Sequence, residues 1–385
     1  IRARKGAGKP MYDVIVVGGG PGGSTAAAVC AQKGLHTLLM DYEEFPREKP
    51  CGDAVPANCI AKLRSLGMGP FDPVEFYDIE KVLIQGPKGA RLVVDVGTIG
   101  ESSSCIVSRL ILDTTIHDFA IKSGAETCQM RVSAPIVENG QVVGVRARVG
   151  KQETEFRAKV VIGADGATSV LARALKSYDR PDNMAAVARR GYIETDTDLD
   201  RLIEFVFLDE IQPGYAWFFP MGKRRANIGV GMRSDHYKKQ NKTLDDAMNY
   251  YLRKMRPRLG DRSPTDVRTW QIPLFADEQK RTFNGAMLIG DAGGFVDPLT
   301  GAGINAAVMT GSFAAETAAQ AIQTGDLTEK GLSGYDQLWR QEFSARLRRS
   351  MLMHRILSRA PNIMDGLIGV AHVVPPLVPL LIGKV

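Results

Sequence analysis

The sequence predicts an α/β fold: a Rossmann-type domain interleaved with an antiparallel β-sheet domain and followed by a helical C-terminal region. Three observations predict it. The β-branched run Tyr12–Val17 leads directly into Gly18-Gly19-Gly20-Pro21-Gly22-Gly23 and an alanine-rich stretch. Short apolar runs of the same kind recur at 160–162 and 287–289, each ending at a glycine-rich turn that carries an aspartate. The segments between them, 81–96 and 187–232, alternate or are aromatic and β-branched, as antiparallel strands are. Rossmann-type elements at the start, middle and end describe one domain inserted into another. A chain of 385 residues also exceeds what one hydrophobic core holds.

In chain order, Tyr12–Val17 reads as a buried parallel strand, 24–33 as a helix with Gly34 as its C-cap, and 36–40 as a second buried strand. Together they form a βαβ unit. Residues 81–96 read as strands with an exposed face and 110–123 as a helix; 160–162 is another buried strand. Residues 187–232 read as an antiparallel sheet, 287–289 as the last buried strand and 304–322 as a long alanine-rich helix. The tail from Tyr335 is helical until its prolines. The expected divisions are 11–72, 104–176 and 276–325 for the Rossmann-type domain, 73–103 and 177–275 for the second domain, and 326–385 for the tail.

Composition excludes several classes. With 44% hydrophobic and 24% charged residues the chain is an ordinary globular protein. The net charge of +6 suits anionic partners, but it is diffuse and accompanies no nucleic-acid motif. Five cysteines, odd in number and without a CxxC pair, indicate neither a disulfide framework nor a zinc site, and fit a reducing cytoplasm. None of the five histidines falls in a motif, so no metal site and no hydrolytic triad is expected. The first ten residues are basic without an apolar stretch, unlike a secretory signal, and Met11 reads as the natural start. The apolar segment 366–382 is broken by His372, Pro375, Pro376 and Pro379, so it is not read as a transmembrane helix. Arg346, Arg348, Arg349, Arg355 and Arg359, with apolar residues between them, suit either a peripheral contact with an anionic bilayer or a solvated helix face.

The first motif has the strand–turn–helix context that GxGxxG requires. Gly18 makes the tight turn, Gly20 admits a pyrophosphate close to the backbone, and Gly23 lets the helix pack on the sheet. The helix N-terminus supplies free N–H groups. Asp41 ends the second strand, where an acid binds an adenosine ribose; Glu43 and Glu44 compete for that role. The second motif, Gly163-Ala164-Asp165-Gly166, follows a strand. In the third, Gly290-Asp291 is followed by Gly301-Ala302-Gly303-Ile304-Asn305 and a long helix. Asp291 is placed for flavin ribityl hydroxyls, and the helix after Gly303 for the pyrimidine edge of a flavin ring.

These three motifs in this order resemble the flavoprotein family of aromatic hydroxylases, flavin-dependent halogenases and geranylgeranyl reductases. The resemblance implies FAD, with Asp165 near the pyrophosphate and Arg109 in contact with the cofactor. Two further segments resemble the geranylgeranyl reductases. One is Pro50-Cys51-Gly52-Asp53, with Cys51 beside the flavin. The other is Tyr215-Ala216-Trp217-Phe218-Phe219-Pro220 with Gly229-Val230-Gly231, which in that subfamily lines a lipid cavity. The likeness spans roughly 11–322; Ala302 departs from it, where an acid is expected. It implies saturation of isolated C=C bonds in a prenyl lipid by hydride from reduced flavin. Cys51 and Tyr215 are candidate catalytic residues, and Tyr215, Trp217, Phe219, Pro220, Gly229 and Gly231 substrate contacts. The reductant would be NAD(P)H or a ferredoxin as electron-donor protein. A monooxygenase on the same scaffold, or a flavin-bound lipid carrier, are the alternatives.

Overall fold

A computed structural model describes residues 11–97, 102–150, 152–239, 243–360 and 363–373. The basic leader 1–10 and the end of the apolar tail, 374–385, lie outside the described residues. β1 (Tyr12–Val17) and β2 (Thr37–Asp41) pair in parallel, with α1 (Pro21–Gln32) crossing between them. β1 also pairs in parallel with β11 (Gln152–Gly163), which pairs with β18 (Ala286–Leu288); β2 pairs with β8 (Glu126–Gln129). β17 (Thr282–Phe283) adds an antiparallel edge. This is a doubly wound core, in which the expected strands at 12–17, 36–40, 160–162 and 287–289 lie side by side. Each begins and ends within a residue or two of its expected bounds, save for the start of β11. That strand starts earlier because its first half pairs with β10 (Gln141–Val149), which pairs with β9 (Arg131–Glu138). This antiparallel extension is not expected from the sequence.

Helix α1 is buried from Pro21 to Cys30, on every face. It packs against α7 (Ile304–Thr324) at a glycine–glycine crossing. A Cβ on Gly311 would lie 2.3 Å from the Gly22 carbonyl oxygen, and one on Gly22 2.8 Å from that of Ala307. The two backbones touch, and no larger residue fits between them.

The second sheet has the order β16 (Thr265–Pro273), β12 (Ala185–Glu194), β15 (Arg225–Arg233), β14 (Gly214–Pro220), β13 (Leu202–Val206), β5 (Lys81–Gln85), β6 (Arg91–Asp95). All neighbours are antiparallel except β13 and β5. The expectation of exposed strands at 81–96 holds for β6 at the sheet edge. It fails for β5, where Val82, Leu83 and Ile84 are buried because strands flank it on both sides. The short helix α5 (Ser234–Lys239) continues directly from β15. Alternation along β14 sorts its side chains. Ala216 and Phe218 pack with Leu244, Met248 and Tyr251 of α6 (Leu244–Leu259), an amphipathic helix that the sequence pattern did not predict. Tyr215, Trp217 and Phe219 point to the other face, where they meet Leu357, Met364 and Ile368 of the tail helices. β3 (Ala54–Val55), β4 (Tyr77–Asp78) and β7 (Cys105–Ile106) form a small third sheet beside α2 (Ala57–Ser65) and α3 (Arg109–Lys122).

The tail is helical as expected, in α8 (Gly334–Trp339), α9 (Ala345–Arg359) and α10 (Met364–Val373). Tyr335, Trp339, Phe343 and Leu347 join the same core as β1 and α1. Further on, Asp365 accepts the backbone N–H groups of Lys88 (3.1 Å) and Ala90 (3.0 Å), which ties α10 to the β5–β6 turn. No helix among the described residues is long and apolar enough to cross a membrane. The five cysteines are all free.

The helix crossing is testable. Gly311→Ala should lower stability by about 1–3 kcal/mol through overpacking. Gly366→Ala, in α10 with open space where its Cβ would sit, should not destabilise. Denaturant titration of both variants checks the contrast.

Candidate active site

The glycine motif after β1 is shaped by close backbone approaches. Gly18 has φ +104°, and a Cβ on it would lie 2.3 Å from the Ala164 carbonyl oxygen; one on Gly23 would lie 1.8 Å from that of Gly18. Gly20 is the N-cap of α1, with no side chain capping the helix. The space over its α-carbon leads to two guanidinium groups, Arg47 at 3.6 Å and Arg109 at 4.0 Å. Free helix N–H groups and two cations therefore face one point, a site built for a pyrophosphate.

Arg109, expected at the cofactor, is buried and held bidentately by Asp113 (2.5 and 2.7 Å), which Arg47 also reaches at 3.0 Å. Burial opposes the charge on the guanidinium, but the Asp113 carboxylate outweighs it and keeps the group firmly protonated. Asp41 ends β2, accepting N–H groups from Gly19 (2.7 Å) and Glu43 (3.0 Å). Asp165 turns inward instead: it accepts from the Ser169 hydroxyl (2.5 Å) and from Val170 N–H (2.7 Å), capping the short helix α4 (Val170–Ala174). Its role in the fold is that of a helix cap, and burial pushes its pKa up.

At the third motif Asp291 lies 3.2 Å from the Lys49 ammonium. Gly303 caps α7 without a side chain, Ile304 and Asn305 form the first turn, and the buried Asn305 Oδ1 has no hydrogen-bond partner. Gly301 has φ +68°, and a Cβ there would meet the Tyr215 hydroxyl at 3.3 Å. The loop is pinned by buried Asp297, which accepts from Leu299 and Thr300 N–H (2.9 and 3.0 Å) and from the Ser350 hydroxyl (2.8 Å). Ala302 leaves this loop without the expected acid; of the motif's two carboxylates, Asp291 is paired with Lys49 and Asp297 is taken up by its own loop and Ser350.

From Asp291 and Asn305 a cavity of about 300 Å³ runs past Cys51 to Tyr215, Trp217 and Phe219. Phe205 meets Tyr215 and Phe219 edge-on, its centroid 5.3 Å from the first and 5.1 Å from the second. Gly231 also lines the cavity, whereas Pro220 and Gly229 do not. Gly229 instead makes room for a neighbour. A Cβ there would lie 2.0 Å from the Trp217 ring, so the glycine seats the indole. The Tyr215 hydroxyl donates to the Thr300 carbonyl, and burial pushes its pKa up. Burial likewise pushes the Cys51 thiol up, so it is not a thiolate nucleophile at neutral pH.

Behind this wall lies a buried network that the sequence pattern did not predict. Trp217 Nε1 donates to Asn227 Oδ1 (2.8 Å), and Asn227 Nδ2 donates to the Cys51 carbonyl (2.7 Å) and to Asp53 Oδ2 (2.8 Å). The Tyr192 hydroxyl donates to the same oxygen (2.9 Å). Asp53 is fully buried at φ +67°, and its Oδ1 has no partner. Burial pushes its carboxyl up to about 6, against the opposing pull of Asn227, Tyr192 and Arg190. Its position directly after Cys51-Gly52 was the available signal.

The FAD binding domain family matches residues 11–349. A digeranylgeranylglycerophospholipid reductase of Methanosphaerula palustris is 33% identical over 86% of this chain and 82% of its own length. The protein of that name from Methanocaldococcus jannaschii is 31% identical over 91% and 87%. The chain belongs to the geranylgeranyl reductase family of FAD-dependent oxidoreductases. Among solved structures, a geranylgeranyl bacteriochlorophyll reductase-like protein of Thermoplasma acidophilum superimposes with a TM-score of 0.86, at 28% identity over 94% of this chain and 91% of its own. A flavin-dependent brominase, at 24% identity and TM-score 0.78, shares the fold.

FAD fits the residues of this family member. The bare N-termini of α1 and α7, the Arg47–Arg109 pair over Gly20 and the unpartnered Asn305 amide oxygen are groups that a dinucleotide and a flavin ring can satisfy. Among the described residues no His/Cys/Asp/Glu cluster could hold a metal ion.

Asp53 makes a stability prediction. Its pKa rises from 3.8 to about 6, so the native state binds the proton more tightly than the unfolded chain. The stabilisation is fully present below 3.8 and is lost as pH rises through 6, a change of about 3 kcal/mol. Relative to Asp53→Asn, the wild type should therefore lose stability between about pH 4 and pH 7. Parallel stability curves for the two proteins would remove Asp53 as the titrating group.

Proposed function

We propose that this protein saturates isolated C=C bonds in the geranylgeranyl chains of a glycerophospholipid. The observation that carries the reading is one continuous cavity, polar at Asp291 and Asn305 and walled farther on by Tyr215, Trp217 and Phe219. A prenyl chain is held there by hydrocarbon burial, at ~0.8 kcal/mol per CH₂ or roughly 4 kcal/mol per five-carbon unit before costs. The relatives named above, reductases of digeranylgeranylglycerophospholipids, support the same substrate class.

Bound FAD, once reduced, supplies the hydride. Gly18, Gly20, Gly23, Asp41 and Arg109 hold its ADP half; Asp291, Gly301, Gly303, Ile304 and Asn305 hold the ribityl and ring end. Trp217, fixed by Asn227, and Phe219, against Gly52, set the height of the chain and exclude water. The reaction also consumes a proton. Tyr215 is tied to a carbonyl and the Cys51 thiol is a weak acid. Asp53, buried directly after Cys51-Gly52 and lining the cavity, with its carboxyl pushed up by burial, is the titratable group placed to supply it.

The test is anaerobic. Chemically reduced holoenzyme is mixed with a geranylgeranyl lipid, flavin reoxidation is followed by absorbance, and the product is weighed. Reoxidation with products heavier by pairs of hydrogens is expected. A flavin that stays reduced until oxygen enters would sink the reading. Trp217→Ala should keep FAD bound yet slow lipid turnover by ~10-fold or more; unchanged turnover would remove the indole from the substrate wall.

The lipid enters from a bilayer in this reading. α9 and α10 expose Leu352, Ile356 and Val370, with Arg349, Arg355 and Arg359 alongside. Co-sedimentation with anionic vesicles should exceed that with neutral ones and drop in a Leu352→Glu, Ile356→Glu double variant. Equal sedimentation of the double variant and wild type would place the contact elsewhere.

A further inference from the structure

The cavity has two chemically different ends. Around Phe219 its wall is hydrocarbon, from Ile79, Ile203 and Phe205. The opposite end lies where four strands of the second sheet start or stop together. Ala186 at the start of β12 pairs with Arg233 at the end of β15 and with Ile272 near the end of β16. Gly214 at the start of β14 pairs with Met232, and Arg233 N–H donates to the Pro213 carbonyl at 3.1 Å. Helix α9 closes this end with Arg346 and His354, both in the cavity wall.

Three wall nitrogens at this end are buried and have no hydrogen-bond partner: Gln212 Nε2, Trp270 Nε1 and Arg346 Nε. They come from three separate elements, and all three are donors. Buried donors are rarely left unpaired, so the set calls for a group rich in acceptor oxygens. The nearby carboxylates do not serve. Asp235 is engaged by Arg233 through two hydrogen bonds (2.5 and 2.9 Å), and Asp297 by Ser350 and its own loop. No carboxylate among the described residues lies within ion-pair distance of Arg346, whose guanidinium rests 5.3 Å from the Phe343 ring centroid. An arginine without a counter-ion beside an apolar cavity is matched by an anion, and its planar fork favours phosphate oxygens. His354 adds no charge: burial, helped by Arg233, holds its imidazole neutral, down to about 4.

We infer that this strand-end pocket binds the anionic phosphate headgroup of the lipid substrate through Arg346, Gln212 and Trp270. The prenyl chain then runs along the Tyr215–Trp217–Phe219 wall to the hydrocarbon end. The inference rests on the reductase reading and adds a headgroup requirement to it.

The test uses holoenzyme reduced with dithionite, so that no nicotinamide phosphate is present. Two substrates share one geranylgeranyl chain: a phosphate ester and the neutral alcohol. Wild type should prefer the phosphate ester in kcat/KM by roughly 10–100-fold. Arg346→Met should bring that ratio close to one, and Arg346→Lys should retain part of it. Equilibrium binding of both lipids to the oxidised holoprotein should show the same preference without turnover. A ratio unchanged in Arg346→Met, or an equal loss on both lipids, would overturn the inference. Slower flavin reduction by NADPH in Arg346→Met with the lipid ratio intact would also overturn it, assigning the anion to the reductant. If wild type reduces neither lipid yet binds the phosphate ester preferentially, the reductase reading fails while the headgroup pocket stands.

Discussion

The contact between α1 and α7 at Gly22 and Gly311 is the constraint on which the site depends. Two helices can aim bare N-termini at one dinucleotide only if their axes come within backbone contact, and any side chain at either glycine would push them apart. The parallel strands run in the order β18, β11, β1, β2, with α1 entered directly from β1 and α7 reached from β18 through the glycine-rich loop. The alanine-rich composition of both helices serves the same closeness. α1 is buried all round, and a larger residue on any face would clash with a strand or with a neighbouring helix.

The second sheet meets a different demand, offering an aromatic wall to one layer and a packed core to the other. Strand alternation in β14 does this within a single strand. The wall is then fixed from behind. Trp217 lies on the space that Gly229 leaves and donates to Asn227, which also grips the Cys51 carbonyl and Asp53. The Cys51 segment and the Trp217 indole are thereby set by a single buried amide. A buried polar network of this kind fixes orientation more tightly than apolar packing would.

Much of this was legible in the sequence. The glycine-rich turns sit on local spacing, and so do the strand–turn–helix contexts of Gly18–Gly23 and Gly301–Asn305. The alternation of Tyr215, Trp217 and Phe219 is equally local. What was not legible depends on partners far along the chain. Asn227 reaches Asp53 across 174 positions, and nothing in its neighbourhood marks it. Gly229 looked like part of the substrate wall, because spacing alone does not distinguish a residue that faces a cavity from one that makes room for a ring. Asp165 sat in a cofactor motif, yet its carboxylate serves the helix five residues on. β5 looked half exposed because its burial comes from β13, more than a hundred residues later.

The hold of Asp365 on the β5–β6 turn gives the tail a further meaning. A Cβ on Gly86 would lie 2.5 Å from the Asp365 carboxylate, so α10 rests on bare backbone there, and its Met364 is set next to the hydrocarbon end of the cavity. The cavity wall that Met364 forms is thus keyed to main-chain amides 277 and 275 positions away in sequence. In the reductase reading, the length of chain that fits beyond the aromatic wall therefore depends on where α10, the last helix among the described residues, is anchored.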